Sequence, residues 1–96
     1  LVHLNRVRER ARAGNTGILP DVSTTDKTAL RDSILLERRV ELALEGHRFW
    51  DLVRTGKASE VLGPLGFEPG KHELLPIPQS EIDLSQGLLS QNPNWN

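Results

Sequence analysis

Ninety-six residues, of which 36% are hydrophobic and 4% aromatic, allow one small domain at most, with a thin core that a neighbour would have to complete. A formal net charge of −1 excludes a broadly basic nucleic-acid surface, and the lack of cysteine excludes disulfides and thiolate metal sites within the chain. No apolar run approaches the roughly 20 residues that cross a bilayer, and with no Met in the sequence Leu1 is expected to follow an upstream segment.

Residues 1–13 read as a helix, because Leu4, Val7 and Ala11 share a stripe and Gly14 is a natural stop. Arg6, Arg8, Arg10 and Arg12 flank that stripe. A polyanion contact is one reading of them. The other is that their aliphatic stems cover an apolar seam while the guanidinium groups stay wet, and the acidic whole-chain balance favours it. Residues 14–25 hold Gly14, Gly17, Pro20, Asp21, Ser23 and Thr24, the composition of a surface loop. Asp26 or Thr28 is placed to cap the next helix.

Helices are expected across residues 26–62. Ala29 to Glu45 carries the strongest pattern: Leu30, Ile34, Leu35, Leu36, Val40, Leu42, Ala43 and Leu44 spread almost all round the axis. A helix apolar on nearly every side is expected to be buried among neighbours. Gly46 supplies its stop. His47 to Arg54 reads as a second, short helix packing through Phe49, Trp50, Leu52 and Val53, and Ala58 to Leu62 adds a turn or two. Residues 63–96 change character. Pro64, Pro69, Pro76, Pro78 and Pro93 exclude long helices, and His72-Glu73-Leu74-Leu75 suits a short strand. Leu75-Pro76-Ile77-Pro78 should be extended, since each residue before a proline is pushed out of the helical region. Gln79 to Asp83 has room for one turn, within an otherwise irregular tail.

Three acids interrupt the greasy helix. Glu37, Glu41 and Glu45 at i, i+4 and i+8 stack on one face. Like charges at that spacing repel, and burying them is costly unless they are paired. Arg38, Arg39, Arg48 and Arg54 are near in sequence, and an Arg fork satisfies a carboxylate with two parallel hydrogen bonds. The expectation is a partly buried ionic network of Glu37, Arg38, Glu41, Glu45, Arg48, Asp51 and Arg54 that joins the long helix to the next. On that reading Glu41→Ala leaves an arginine buried and unpaired, a loss of roughly 3–5 kcal/mol.

Other readings of the same acids are weaker. A glycosidase pair needs carboxylates facing each other across substrate, whereas these point the same way. A metal site from Glu41, Glu45, His47 and Asp51 lacks the Glu-x-x-His spacing of helical di-metal bundles, because Leu44 occupies the position it requires. A pocket charge for ligand recognition is the third. Trp50 and Trp95 each have the ring of a sugar-stacking platform. Trp50, between Phe49 and Val53, is expected in the core, while Trp95 lies in a polar tail. His3, His47 and His72 show no metal spacing, and there is no nucleophile elbow, phosphate loop or zinc pattern. No catalytic residue, metal or cofactor is assigned.

The stretch from Leu30 to Gly56, with Leu36-Glu37-Arg38-Arg39-Val40-Glu41-Leu42-Ala43-Leu44-Glu45-Gly46-His47-Arg48-Phe49-Trp50-Asp51-Leu52-Val53-Arg54 at its heart, resembles the signature of SusD/RagB-type proteins. Leu4-Asn5-Arg6-Val7-Arg8-Glu9-Arg10-Ala11 resembles the preceding helix of that family. Leu75-Pro76-Ile77-Pro78, Glu81-Ile82-Asp83 and Gln91-Asn92-Pro93 resemble its ending. Asn94-Trp95 departs from a common Gly-Tyr, Leu44 from Phe, and Ser85-Gln86 from Asn-Pro. None of these touches the charged motif.

The resemblance implies a mainly α architecture: a helical segment of a SusD-like α-α, tetratricopeptide-like fold, ending in an extended Pro-rich tail. It makes residues 1–96 the C-terminal portion of a surface nutrient- or glycan-binding lipoprotein of Bacteroidetes outer membranes. A SusC-like TonB-dependent transporter is the implied partner, with the lipid anchor outside this stretch and no nucleic acid involved. Glycan contacts come largely from upstream regions in such proteins, so no ligand-binding residue is assigned and these residues alone are expected to bind no glycan. The alternative is a stand-alone helical protein–protein interaction module.

Overall fold

A computed structural model describes residues 1–95 as five α-helices and one 3-10 turn, with no strand among them. The helices are α1 (Val2–Arg12), α2 (Lys27–Glu41), α3 (Arg48–Arg54), α4 (Ala58–Leu62) and α5 (Gln79–Leu84), with the 3-10 turn at Gly63–Leu65. The fold class is therefore mainly α. The chain divides into two compact units, Leu1–Arg48 and Phe49–Asn96.

In the first unit α1 ends at Arg12, two residues before Gly14: Ala13 already adopts the left-handed conformation, φ 48°, and its N–H reaches back to the Arg10 carbonyl. Residues 14–25 then return along α1, tied to it by two side chains. Asn5 acts as a clasp, its Nδ2 donating to the Val22 carbonyl at 3.0 Å while its Oδ1 accepts from the Val22 N–H at 2.9 Å. One amide thus satisfies both backbone groups of a residue that has no strand to pair with. Arg12 donates to the Leu19 carbonyl at 3.0 Å and pairs with Asp21 at 2.8 Å. A long loop without regular structure is held in place this way.

Asp26 caps α2, accepting from the Ala29 N–H at 2.7 Å, so of the two expected caps the earlier is used. The helix runs only to Glu41, short of the expected end at Glu45. Residues 42–46 form turns, with φ positive at Leu44 (67°) and Gly46 (78°). Apolar content predicts helix through Ala43 and Leu44, but content does not say where a chain turns. The positive φ at Gly46 is the backbone conformation glycine adopts most readily. Expected burial is also not met within this chain: Leu36 and Val40 are exposed and no residue of α2 is buried.

The second unit is built around α3 and α4. Leu52, 1% exposed, and Ala58 form its apolar centre, with the Asp51 side chain also buried. The Thr55 hydroxyl closes α3 by donating to the Asp51 carbonyl at 2.6 Å. Residues 72–75 are not the expected strand. The N–H groups of Lys71 and His72 both bond to the Glu68 carbonyl, at 3.3 and 3.1 Å, and the Leu74 N–H bonds to the Lys71 carbonyl at 3.3 Å. Those local turns consume the donors a strand would need.

The Pro-rich tail is interrupted by α5 and by Gln91, which clasps Ile77 as Asn5 clasps Val22: Oε1 accepts from the Ile77 N–H and Nε2 donates to its carbonyl, both at 2.8 Å. Asn92 donates to the Leu75 carbonyl at 2.6 Å and Asn94 to that of Gly70 at 3.0 Å. The tail is therefore strapped onto residues 70–77 rather than extended throughout.

Candidate functional site

Two groupings of side chains bear on function, one in each unit. In the first, α1 and α2 line a groove of about 510 Å³ whose apolar residues are Leu1, Leu4, Val7, Ile34 and Leu42. Glu37 and Glu41 stand along it. Their cations come from α1: Arg8 pairs with Glu37 at 3.4 Å, and the guanidinium of Arg10 donates to Glu41. The order of the pairs rises along both helices together. Arg8 and Glu37 are well covered, with side chains 17% and 15% exposed, while Arg10 and Glu41 are 71% and 34% exposed. The inner pair is the costly one to break, and the outer one is a surface contact.

The expected network is distributed differently. Glu45 lies beyond the end of α2, off the stripe of Glu37 and Glu41, with a His47 ring nitrogen 4.0 Å from its carboxylate. Arg38 lines the groove. Arg48 begins α3. Asp51 and Arg54 meet within α3: both Nε and a terminal nitrogen of Arg54 approach one Asp51 oxygen, at 2.9 and 2.8 Å. The carboxylate is buried and the guanidinium is half in water. Glu37 and Glu41 are thus supplied by Arg8 and Arg10, which sequence spacing alone leaves on a solvated seam. No spacing rule finds such partners, because they sit on a different helix, far away along the chain.

In the second unit aromatic rings form a row. Phe49 meets Trp50 edge-on at 5.0 Å and Phe67 at 6.3 Å, Phe67 meets His72 at 5.8 Å, and His72 meets Trp95 at 5.4 Å. A cleft of about 340 Å³ opens beside it, lined by Phe49, Leu62, Leu65, Gly66, Phe67 and His72. Trp50, expected in the core, is 53% exposed and touches Phe49 by its edge. On so short a helix only one side faces the centre, and Leu52 takes it. Trp95 is held within its unit: its indole N–H is shared between the carbonyls of Lys71 (3.1 Å) and Leu74 (3.0 Å), and the Lys71 ammonium lies 5.0 Å from the ring centre.

Neither grouping is arranged as an acid–base pair. Each carboxylate of the groove has a guanidinium beside it, and no group of three metal-ligating side chains occurs among the described residues. In the second unit the indole of Trp50 is exposed, a surface suited to stacking.

The model of the SusD family matches residues 1–71. The chain is 52% identical over 65 residues to SusD-like protein P38 of Formosa agariphila, covering 65% of this chain and 13% of that protein. It is 35% identical over 102 residues to SusD-like protein P2 of the same organism, covering 97% of this chain and 20% of that one. A solved laminarin-binding SusD-like protein is 49% identical and superposes with a TM-score of 0.73 over 96% of this chain and 17% of its own. The chain therefore spans a fifth or less of the length of each of these relatives.

Proposed function

Because the chain belongs to the SusD family, we propose that it forms the C-terminal portion of a non-catalytic protein that binds glycan at the cell surface. The observation that carries this reading is the 49% identity, over nearly the whole chain, to a laminarin-binding SusD-like protein. Laminarin is accordingly the first ligand to test. Residues 1–96 serve the complete protein as scaffold: the carboxylates of the groove and Asp51 of α3 each have an arginine within the chain, and the apolar helix faces suit contact with the remainder of the polypeptide. Affinity arises from stacking and hydrogen bonding on the whole molecule. A SusC-like TonB-dependent transporter is the partner to which ligand passes. No helix among the described residues is long and apolar enough to cross a membrane. Outer-membrane attachment through a lipid anchor outside residues 1–96 is part of the same proposal.

Affinity electrophoresis of the complete protein through gels containing laminarin or other soluble polysaccharides tests the proposal. Retardation in at least one gel is expected. Unimpeded migration through every gel of a broad panel overturns glycan binding.

A further inference from the structure

His72 occupies a singular place in the second unit. Its Nδ1 accepts a hydrogen bond from the Glu68 N–H at 2.8 Å, and its ring lies between Phe67 and Trp95. Trp95 in turn fastens the end of the described chain to the Lys71 and Leu74 carbonyls. An imidazole nitrogen accepts only while it carries no proton. Protonation at Nδ1 sets one N–H against another at hydrogen-bond distance, and only rotation of the ring relieves that conflict.

We propose that His72 is an acid-sensitive latch: protonation turns its ring out of the Phe67–Trp95 gap and loosens the strap formed by Asn92, Asn94 and Trp95. Glu68, Lys71 and Glu73 are charged residues beside it. Lys71, paired with Glu68 at 3.2 Å and set over the Trp95 ring, adds positive charge on the side that an imidazolium would vacate. Glu73 attracts the imidazolium, as its own carboxyl responds to His72. The clash of donors at Nδ1 acts at 2.8 Å, whatever Glu73 contributes. The remaining groups around the cleft, Phe49, Leu62, Leu65 and Phe67, carry no charge.

The test is hydrogen exchange on the complete protein, corrected for the intrinsic rate, at about pH 7.5 and about pH 5, on either side of the usual histidine range. Protection of the Glu68 amide is expected to fall about fivefold at the lower pH, the worth of one hydrogen bond. His72→Asn keeps an acceptor oxygen near the same position but does not titrate, and its protection is expected to be the same at both pH values. Equal protection of the native protein at both values overturns the latch, as does equal sensitivity in the variant. Should the variant fail to fold, imidazole ¹⁵N shifts of the native protein decide: a protonated Nδ1 with the Glu68 amide still protected ends the proposal.

Discussion

Glu37 and Glu41 stand one turn apart on α2 and both meet an arginine of α1, yet water reaches them very differently. Removing Glu37 strands a covered guanidinium whose Nε already has no hydrogen-bond partner, so Glu37→Ala is expected to cost roughly 3 kcal/mol. Glu41→Ala leaves Arg10 free to hydrate, and its cost is expected to stay below about 1 kcal/mol. This reverses the weight that sequence alone places on Glu41. Denaturant melts of the two variants check it, and equal losses would count against the inner-and-outer arrangement. Glu73 makes a separate point. Backbone N–H groups of Gly70 and of Glu73 itself hold its carboxyl below the ordinary value of 4.5. A depressed carboxylate stabilises the fold above that value, and the contribution is lost as pH falls through the folded-state one. Acidification below about pH 4.5 is therefore expected to destabilise the native protein more than Glu73→Gln, read from melting temperatures across an acid series.

At the scale of elements, α3 shows how little apolar material a short helix needs to hold its place. Among the described residues Leu52 alone is fully enclosed, so Leu52→Ala is expected to cost about 3 kcal/mol, with the loss reported by thermal denaturation. A cost below about 1 kcal/mol would mean that the site collapses around the smaller side chain. Which elements are legible in the sequence depends on the range of the forces that make them. The beginning of α2 is readable because Asp26 caps through an atom three residues away. The end of α2 is not: Leu42, Ala43 and Leu44 carry helix-forming side chains through a stretch that turns. Residues 72–75 suit a strand by composition, but a strand also needs an adjacent chain, and Lys71, His72 and Leu74 donate locally instead.

Across the whole molecule, the grouping of the charged motif is legible and most of its partners are not. Asp51 and Arg54 lie within one turn, and helical spacing pairs them. Arg8 and Arg10 reach Glu37 and Glu41 only because residues 14–25 run back along α1, a path fixed by Asn5 and Arg12 rather than by any periodicity. Trp50 escapes the sequence for a related reason, since an aromatic ring in a short apolar run says nothing of which side of the helix is covered. Family likeness locates the motif, whereas the pairing belongs to the three-dimensional path.

That path hangs on the two ends of one amide. Asn5 holds Val22 by giving one hydrogen bond and receiving another. Asn5→Asp keeps the outline of the side chain and replaces its donor with a second oxygen. A carboxylate then confronts the Val22 carbonyl, lone pair against lone pair, and the return loop lifts from its helix. Limited proteolysis is expected to nick the Asn5→Asp variant between residues 14 and 25 faster than the native protein, with the helices on either side still whole.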